Sequence, residues 1–233
     1  MYVNNISEAG VKTPAFFPTV FVSDLHLGTK KSKAKEFISF LEEVKFNHLV
    51  LVGDIIDGWA LRRGQKWTKS HTEAIRAILK LSKDIQISYI TGNHDDFIRP
   101  FLKYRFAFGN VEFYDRMVYE SISGKHILVV HGDQQDFWMK IPKSFVNFLA
   151  HFTDFFYREK PENIGVHRYI RTCSTENTLR RLSKRHEGII CGHTHIPKIS
   201  KEYMNCGDWT KKCTFIAEHE DGSFSLENYV SKF

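Results

Sequence analysis

His48-Leu49-Val50-Leu51-Val52-Gly53-Asp54-Ile55-Ile56-Asp57 is the stretch on which the fold turns. Its first half is a short aliphatic run without polar alternation, the pattern of a strand covered on both faces. Gly53 ends the run, and two carboxylates three residues apart follow at once. The same grammar recurs on either side. Thr19–Ser23 ends at Asp24-Leu25-His26, and Gln86–Ile90 runs into Thr91-Gly92-Asn93-His94-Asp95. Ile127–Val130 leads into His131-Gly132-Asp133, and Gly188–Ile190 into Cys191-Gly192-His193-Thr194-His195. Helical spacing separates the first strands. Lys33–Lys45 repeats through Phe37, Phe40, Leu41 and Val44, and Ser70–Ser82 through Ala74, Ile75, Ile78 and Leu79. Ser70 is the expected N-cap of the second helix, with Glu73 completing a capping box. Further short strands are expected over Glu202–Asn205, Cys213–Glu218 and Phe224–Tyr229. Strand–helix alternation predicts an α/β layered fold. Loops beyond the carboxyl ends of such strands gather at one sheet edge, so these five should converge.

Each motif alone is common, but an ordered set of five at strand ends is not. Its residue types suit a pair of divalent cations, which needs a bridging carboxylate and further oxygen and imidazole ligands. Glycines beside the ligands permit tight turns and close backbone approach. Mixed nitrogen and oxygen ligation without thiolate favours manganese, iron or zinc over calcium.

The series DxH, GDxxD, GNHD, HGD and GHTH, spanning Asp24 to His195, resembles that of the calcineurin-like metallophosphoesterases. The resemblance implies two packed mixed β-sheets flanked by helices, with a helical lid insertion, in one domain. It implies one metal on Asp24, His26, Asp54 and His195, and a second on Asp54, Asn93, His131 and His193, with Asp54 as the bridge. His94 matches the catalytic histidine, oriented by Asp57. The implied reaction is hydrolysis of a phosphate ester or anhydride by a hydroxide held between the metals. Asp95 and Asp133 are left as fixers of their loops, and Arg99 as a residue able to reach a substrate phosphate. Asn205–Trp209 reads as a structural turn or as a closure of the site.

The chain has 233 residues, 42% hydrophobic and 26% charged, ordinary globular usage and enough length for a sizeable core. No uninterrupted apolar run reaches the roughly 18 residues of a membrane-spanning helix. Met1–Phe17 lacks the basic-then-apolar pattern of a signal peptide. Cys173, Cys191, Cys206 and Cys213 form no CxxC pair, as expected of reduced thiols in a cytosolic protein. Residues 137–186 hold ten basic and four acidic side chains, which accounts for the whole net charge of +6. A basic segment of this kind points to an anionic partner or to a solvated helix face.

Within that segment Ile141, Phe145, Phe148, Leu149, Phe152, Phe155 and Phe156 form an apolar stripe at helical spacing, with Pro142 in the first turn. It is expected to be either a core helix or a lid that takes up acyl chains and meets an anionic membrane. The insertion, the chain length and Gly53-Asp54-Ile55-Ile56-Asp57-Gly58-Trp59 resemble the UDP-2,3-diacylglucosamine diphosphatase branch. That branch implies a lipid-linked diphosphate substrate, a role in lipid A synthesis, and a cytoplasmic enzyme peripheral to the inner membrane. The chain departs from it at Gly92-Asn93-His94-Asp95, where the branch carries GNRD, and in a shorter insertion. A metal-dependent nuclease or nucleotide phosphodiesterase is the alternative, its basic segment following a phosphate backbone. A non-catalytic scaffold would be expected to have lost ligands, and none is missing.

Overall fold

The computed structural model describes residues 16–105, 107–135 and 166–231. In chain order the strands are β1 (Phe16–Val22), β2 (Lys45–Val52), β3 (Gln86–Ile90), β4 (Ala107–Phe108), β5 (Val111–Tyr114), β6 (Arg116–Glu120), β7 (His126–Val130), β8 (Ile189–Cys191), β9 (Lys198–Ile199), β10 (Tyr203–Asn205), β11 (Thr214–Glu218) and β12 (Phe224–Asn228). The helices are α1 (Ala34–Glu43), α2 (Gly58–Arg62), α3 (Lys69–Leu81), α4 (Arg99–Leu102) and α5 (Val166–Ser183). One sheet has the order β12-β11-β1-β2-β3-β5-β4, the other β6-β7-β8-β10-β9. The central strands β1, β2, β3 and β5 are parallel, as are β7, β8 and β10, and antiparallel strands close the edges.

Side-chain alternation in β2 sorts the layers. Val50 and Val52 enter the space between the sheets, where they meet Phe21, Ile90, Val129 and Ile190. Leu49 and Leu51 face the other way, into a cluster with Phe37 and Phe40 of α1 and Ala74 and Ile78 of α3. On the outer face of the second sheet, Leu128, Val130 and Ile189 pack with Leu179 of α5. The result is helix, sheet, sheet, helix, with the carboxyl ends of β1, β2, β3, β7 and β8 at one rim.

Several local expectations change. Helix α3 starts at Lys69, capped by Thr68 and not by Ser70. The capping partner is His71, whose N–H donates to Thr68 Oγ1 at 3.4 Å while its Nδ1 accepts from Thr68 N at 3.2 Å. Ser70 instead falls in the first turn, where its hydroxyl meets that of Thr68 at 2.9 Å. Strands β4, β5 and β6 had no counterpart in the sequence pattern, because β4 and β6 are edge strands and β5 is only partly covered. The aromatic stripe over 141–156 lies outside the described residues, and of the segment 137–186 residues 166–183 form α5. Among the described residues, no helix is long and apolar enough to cross a membrane.

Part of the chain's content of 20 phenylalanines has a packing reason. Phe40 is fully buried at the centre of a ring cluster, with centroids 4.9 Å from Phe215, 5.1 Å from Trp209 and 5.8 Å from Phe46. This cluster fixes α1 against the first sheet. Phe40→Ala should destabilise the chain by about 3–5 kcal/mol. The check is a lowered urea midpoint at unchanged slope.

Candidate metal centre

Three of the five loops, those after β1, β2 and β8, leave their strands under backbone strain. Asp24, His26, Asp54, His193 and His195 have φ of 55°, 48°, 55°, 66° and 59°. Such left-handed conformations cost roughly 1–3 kcal/mol each at non-glycine residues. Surrounding hydrogen bonds hold them, because the loops prolong the β1–β2 ladder past the strands. Asp24 N donates to Gly53 O at 3.1 Å, His26 N to Asp54 O at 2.9 Å and Asp57 N to Leu27 O at 2.8 Å. Two glycines are required by contact. A Cβ on Gly53 (φ 78°) would lie 2.5 Å from the His131 ring, and one on Gly92 would lie 2.2 Å from Asp54 Oδ1.

The side chains gather in two adjoining groups. Asp24, His26 and His195 form one, and Asp54, His131 and His193 the other. His195 Nε2 lies 3.3 Å from Asp24 Oδ1 and 3.3 Å from His26 Nε2, and His131 Nε2 lies 3.2 Å from Asp54 Oδ2. Ligands sharing a cation through bonds of about 2.1 Å stand roughly 3.0–3.5 Å apart. A third group of His26, Asp54 and His94 joins the two, with Asp54 Oδ2 3.8 Å from His26 Nε2 and 3.9 Å from His94 Nε2. Asp24 Oδ1, Asn93 Oδ1 and His131 Nε2 are buried without a hydrogen-bond partner. Orphaned polar atoms of this kind cost roughly 1–3 kcal/mol each unless something satisfies them. Their donor types and spacing fit two divalent cations.

Outer contacts aim the rings. His131 Nδ1 lies 2.9 Å from Val52 O, so it donates there and turns Nε2 toward Asp54. Asp57 serves two imidazoles, with Oδ2 3.0 Å from His26 Nδ1 and Oδ1 2.9 Å from His94 Nδ1. Its Oδ1 also accepts from Ala60 N at 2.6 Å, capping α2. Only the contact with His94 was expected from the sequence. The Trp59 ring lies 4.4 Å from that of His94, a neighbour no motif announced.

The other singled-out residues brace the loops. Asp95 accepts from Ile55 N at 2.9 Å, from the Tyr89 hydroxyl at 2.7 Å and from Gly92 N, joining the Asp54 and Asn93 loops. Arg99, expected near a substrate phosphate, has its guanidinium 2.7 Å from Asp133 and 3.2 Å from Asp115, and it donates to Thr91 O at 3.3 Å. This geometry makes Arg99 a strap between the loops after β3 and β7. Asn205–Trp209 is a turn that reaches the site: Trp209 N donates to Asp24 O at 3.1 Å, and Asp208 Oδ2 lies 4.0 Å from His195 Nδ1.

Burial alone would raise the Asp24 carboxyl, but His195, His26 and His131 take it down to about 2. Asp54 is also held well below the usual carboxylate range, its burial outweighed by His131 first and then by His26 and His94. Conversely, burial would depress His26, yet Asp24, Asp57 and Asp54 push it up to about 10. His131 rises for the same reason, chiefly through Asp54. The carboxylates thus make a cation cage in which protons and metal ions compete for the same ring nitrogens. Gly92→Ala should displace Asp54, cutting bound manganese from two ions per chain toward one or none while the protein still melts cooperatively. Equilibrium dialysis followed by elemental analysis measures this.

The family model described as calcineurin-like phosphoesterase matches residues 17–197. A UDP-2,3-diacylglucosamine hydrolase of Blochmanniella pennsylvanica is 25% identical over 233 residues, covering 86% of this chain and 92% of that one. A protein of the same name from Aliivibrio fischeri is 24% identical over 241 residues, covering 89% and 96%. The DNA polymerase II small subunit of Methanothermobacter thermautotrophicus is 25% identical over 150 residues, 52% of this chain, and the match spans 31% of that protein's length. The family match runs from β1 past the loop after β8 and so takes in every strand end that carries the centre: the chain belongs to the calcineurin-like phosphoesterase family and is a metal-dependent phosphoester hydrolase.

Proposed function

We propose that the chain hydrolyses the diphosphate of UDP-2,3-diacylglucosamine or of a related lipid-linked diphosphate. The observation that carries this reading is the likeness to two hydrolases of that substrate over most of their length and most of this chain. In this reading Asp24, His26, Asp54 and His195 hold one divalent cation, and Asp54, Asn93, His131 and His193 the other. Manganese is proposed first, with iron or zinc compatible with the same donors. Bound there, the cations supply Lewis-acid polarisation of the phosphoryl group and a nucleophile competent at neutral pH.

The chain's own residues do the rest. Asp57 turns His94 so that Nδ1 faces the carboxylate and Nε2 faces the centre, 3.9 Å from Asp54 Oδ2. His94 is partly open to solvent, so a substrate can reach it. Water gives up a proton to solvent as its oxygen adds to phosphorus, the bond from phosphorus to the leaving oxygen breaks, and His94 Nε2 passes its proton to that oxygen. Asp95 and Arg99 keep the participating loops in register. The reading places the enzyme on the cytoplasmic side of an inner membrane.

A nuclease or nucleotide phosphodiesterase is the second reading, favoured by one observation: His94 stands where the diphosphatase branch carries arginine. A manganese-supplemented panel of UDP-2,3-diacylglucosamine, cyclic nucleotides, an aryl phosphodiester and single-stranded DNA separates the two. The lipid-linked diphosphate should be turned over best. His94→Gln should lower kcat roughly 100- to 10,000-fold with both metals retained, whereas Asp54→Ala should abolish activity and lose metal. Preferred cleavage of DNA or cyclic nucleotides would replace the first reading by the second.

A further inference from the structure

We propose that Asn205 is a positioning residue of the metal centre, holding the loop that gives an imidazole to each cation. His193 and His195 stand on either side of Thr194 in the loop after β8. Thr194 N donates to Gly192 O at 2.8 Å, which closes a three-residue turn with His193 at its centre and φ at 66°. A turn of this hand is rare and strained for an L-residue. His195 follows at φ 59°, so both ring-bearing residues need outside support to keep their backbone conformation. The turn also presses on the opposite loop: a Cβ on Gly192 would lie 2.5 Å from Asp24 Oδ2.

Asn205 supplies that support. It ends β10, is fully buried, and sits opposite Cys191 in the parallel β8–β10 register, beside the turn. Its Nδ2 lies 2.7 Å from Gly192 O and 3.1 Å from Thr194 Oγ1. The two amide hydrogens thus meet the carbonyl that closes the turn and the hydroxyl between the histidines. The Tyr203 hydroxyl at 3.3 Å and Cys191 Sγ at 3.4 Å line the same corner. Asn205 Oδ1 accepts from Gly207 N at 2.9 Å. Gly207 O in turn accepts from the hydroxyl of Ser23, the residue before Asp24, at 3.2 Å. One amide therefore ties together the loops after β1, β8 and β10. The role calls for two donors and an acceptor on a short stem, which asparagine has; ionised aspartate offers acceptors alone. Asn205 bonds backbone and hydroxyl groups here, so it acts on the cations through His193 and His195.

Such support has a thermodynamic signature. A loop already held costs the first cation little to order. Without Asn205 the first cation must order the loop, and the second meets it already ordered. Loss of the amide should therefore weaken the first cation more than the second, whereas a general loss of stability should weaken neither.

The test is calorimetric titration of manganese into the metal-free full chain, with thermal melting of each variant. Asn205→Asp keeps the shape and the bond from Gly207 but sets a carboxylate oxygen against Gly192 O. It should weaken the first manganese roughly tenfold and the second less. Thr194→Val removes one bond only and should weaken the first ion a few-fold, which decides the matter if Asn205→Asp does not fold. Ile78→Ala, a truncation in the core beneath α3, is the control: it should melt lower with wild-type manganese affinities. Folded Asn205→Asp or Thr194→Val chains that take up both ions with wild-type affinity would overturn the inference. Equal weakening of the two ions, or weakening by Ile78→Ala as large as by Asn205→Asp, would do the same. The inference rests on the ligand assignment proposed above. A wild-type chain that binds fewer than two manganese ions would overturn that assignment and the inference with it, whereas unaltered variants beside a two-ion wild type overturn the inference alone.

Discussion

One oxygen atom organises this molecule. Asp54 Oδ2 sits between two clusters of imidazole and carboxylate donors, within 3.2–3.9 Å of His131, His26 and His94 nitrogens. A buried carboxylate is costly to desolvate, and it is tolerated here because cationic or cation-seeking groups surround it. Everything near it serves that approach. Residue 92 has no side chain, so the loop after β3 can close against Asp54, and His94 N donates to Asp54 Oδ1 at 2.8 Å. Asp24 performs the same service opposite, accepting from His193 N at 2.9 Å.

The donors come from both sheets, so the centre exists only if the sheets pack in register. Asp24, Asp54 and Asn93 follow strands of the first sheet, while His131, His193 and His195 follow strands of the second. The apolar layer shared by Phe21, Val50, Val52, Val129 and Ile190 sets that register directly behind the loops. Burial of this layer provides the free energy. It is set against the strain of five left-handed non-glycine residues and the orphaned atoms of the cage. Stability is concentrated in the sandwich and relinquished at its rim, as expected where a site must stay open to ligands.

Much of this was legible in the sequence, for a specific reason. A buried parallel strand is a bare aliphatic run, and a carboxyl-end loop starts where that run stops, so the five motifs announced both strands and site. Strands β4 to β6 gave no such signal, because sheet edges and partly covered faces tolerate mixed residues such as Arg116 and Glu120. The cap of α3 was misplaced by two residues because a histidine took the role usually given to glutamate. The double duty of Asp57, the Trp59–His94 contact and the strapping of Arg99 depend on which loops meet, which spacing does not encode. Charge was misleading in another way. Outside 137–186 acids and bases cancel in number, yet residues 28–35 hold four lysines and no acid, a local excess that the total conceals.

The central claim is that Asp54 bridges two cations. Diffraction at the manganese absorption edge, from crystals grown with that metal, addresses it most directly. Two anomalous peaks flanking Asp54 Oδ2 are predicted, one beside Asp24, His26 and His195 and the other beside Asn93, His131 and His193. A single peak, a pair lying away from Asp54, or none at saturating metal would contradict the account.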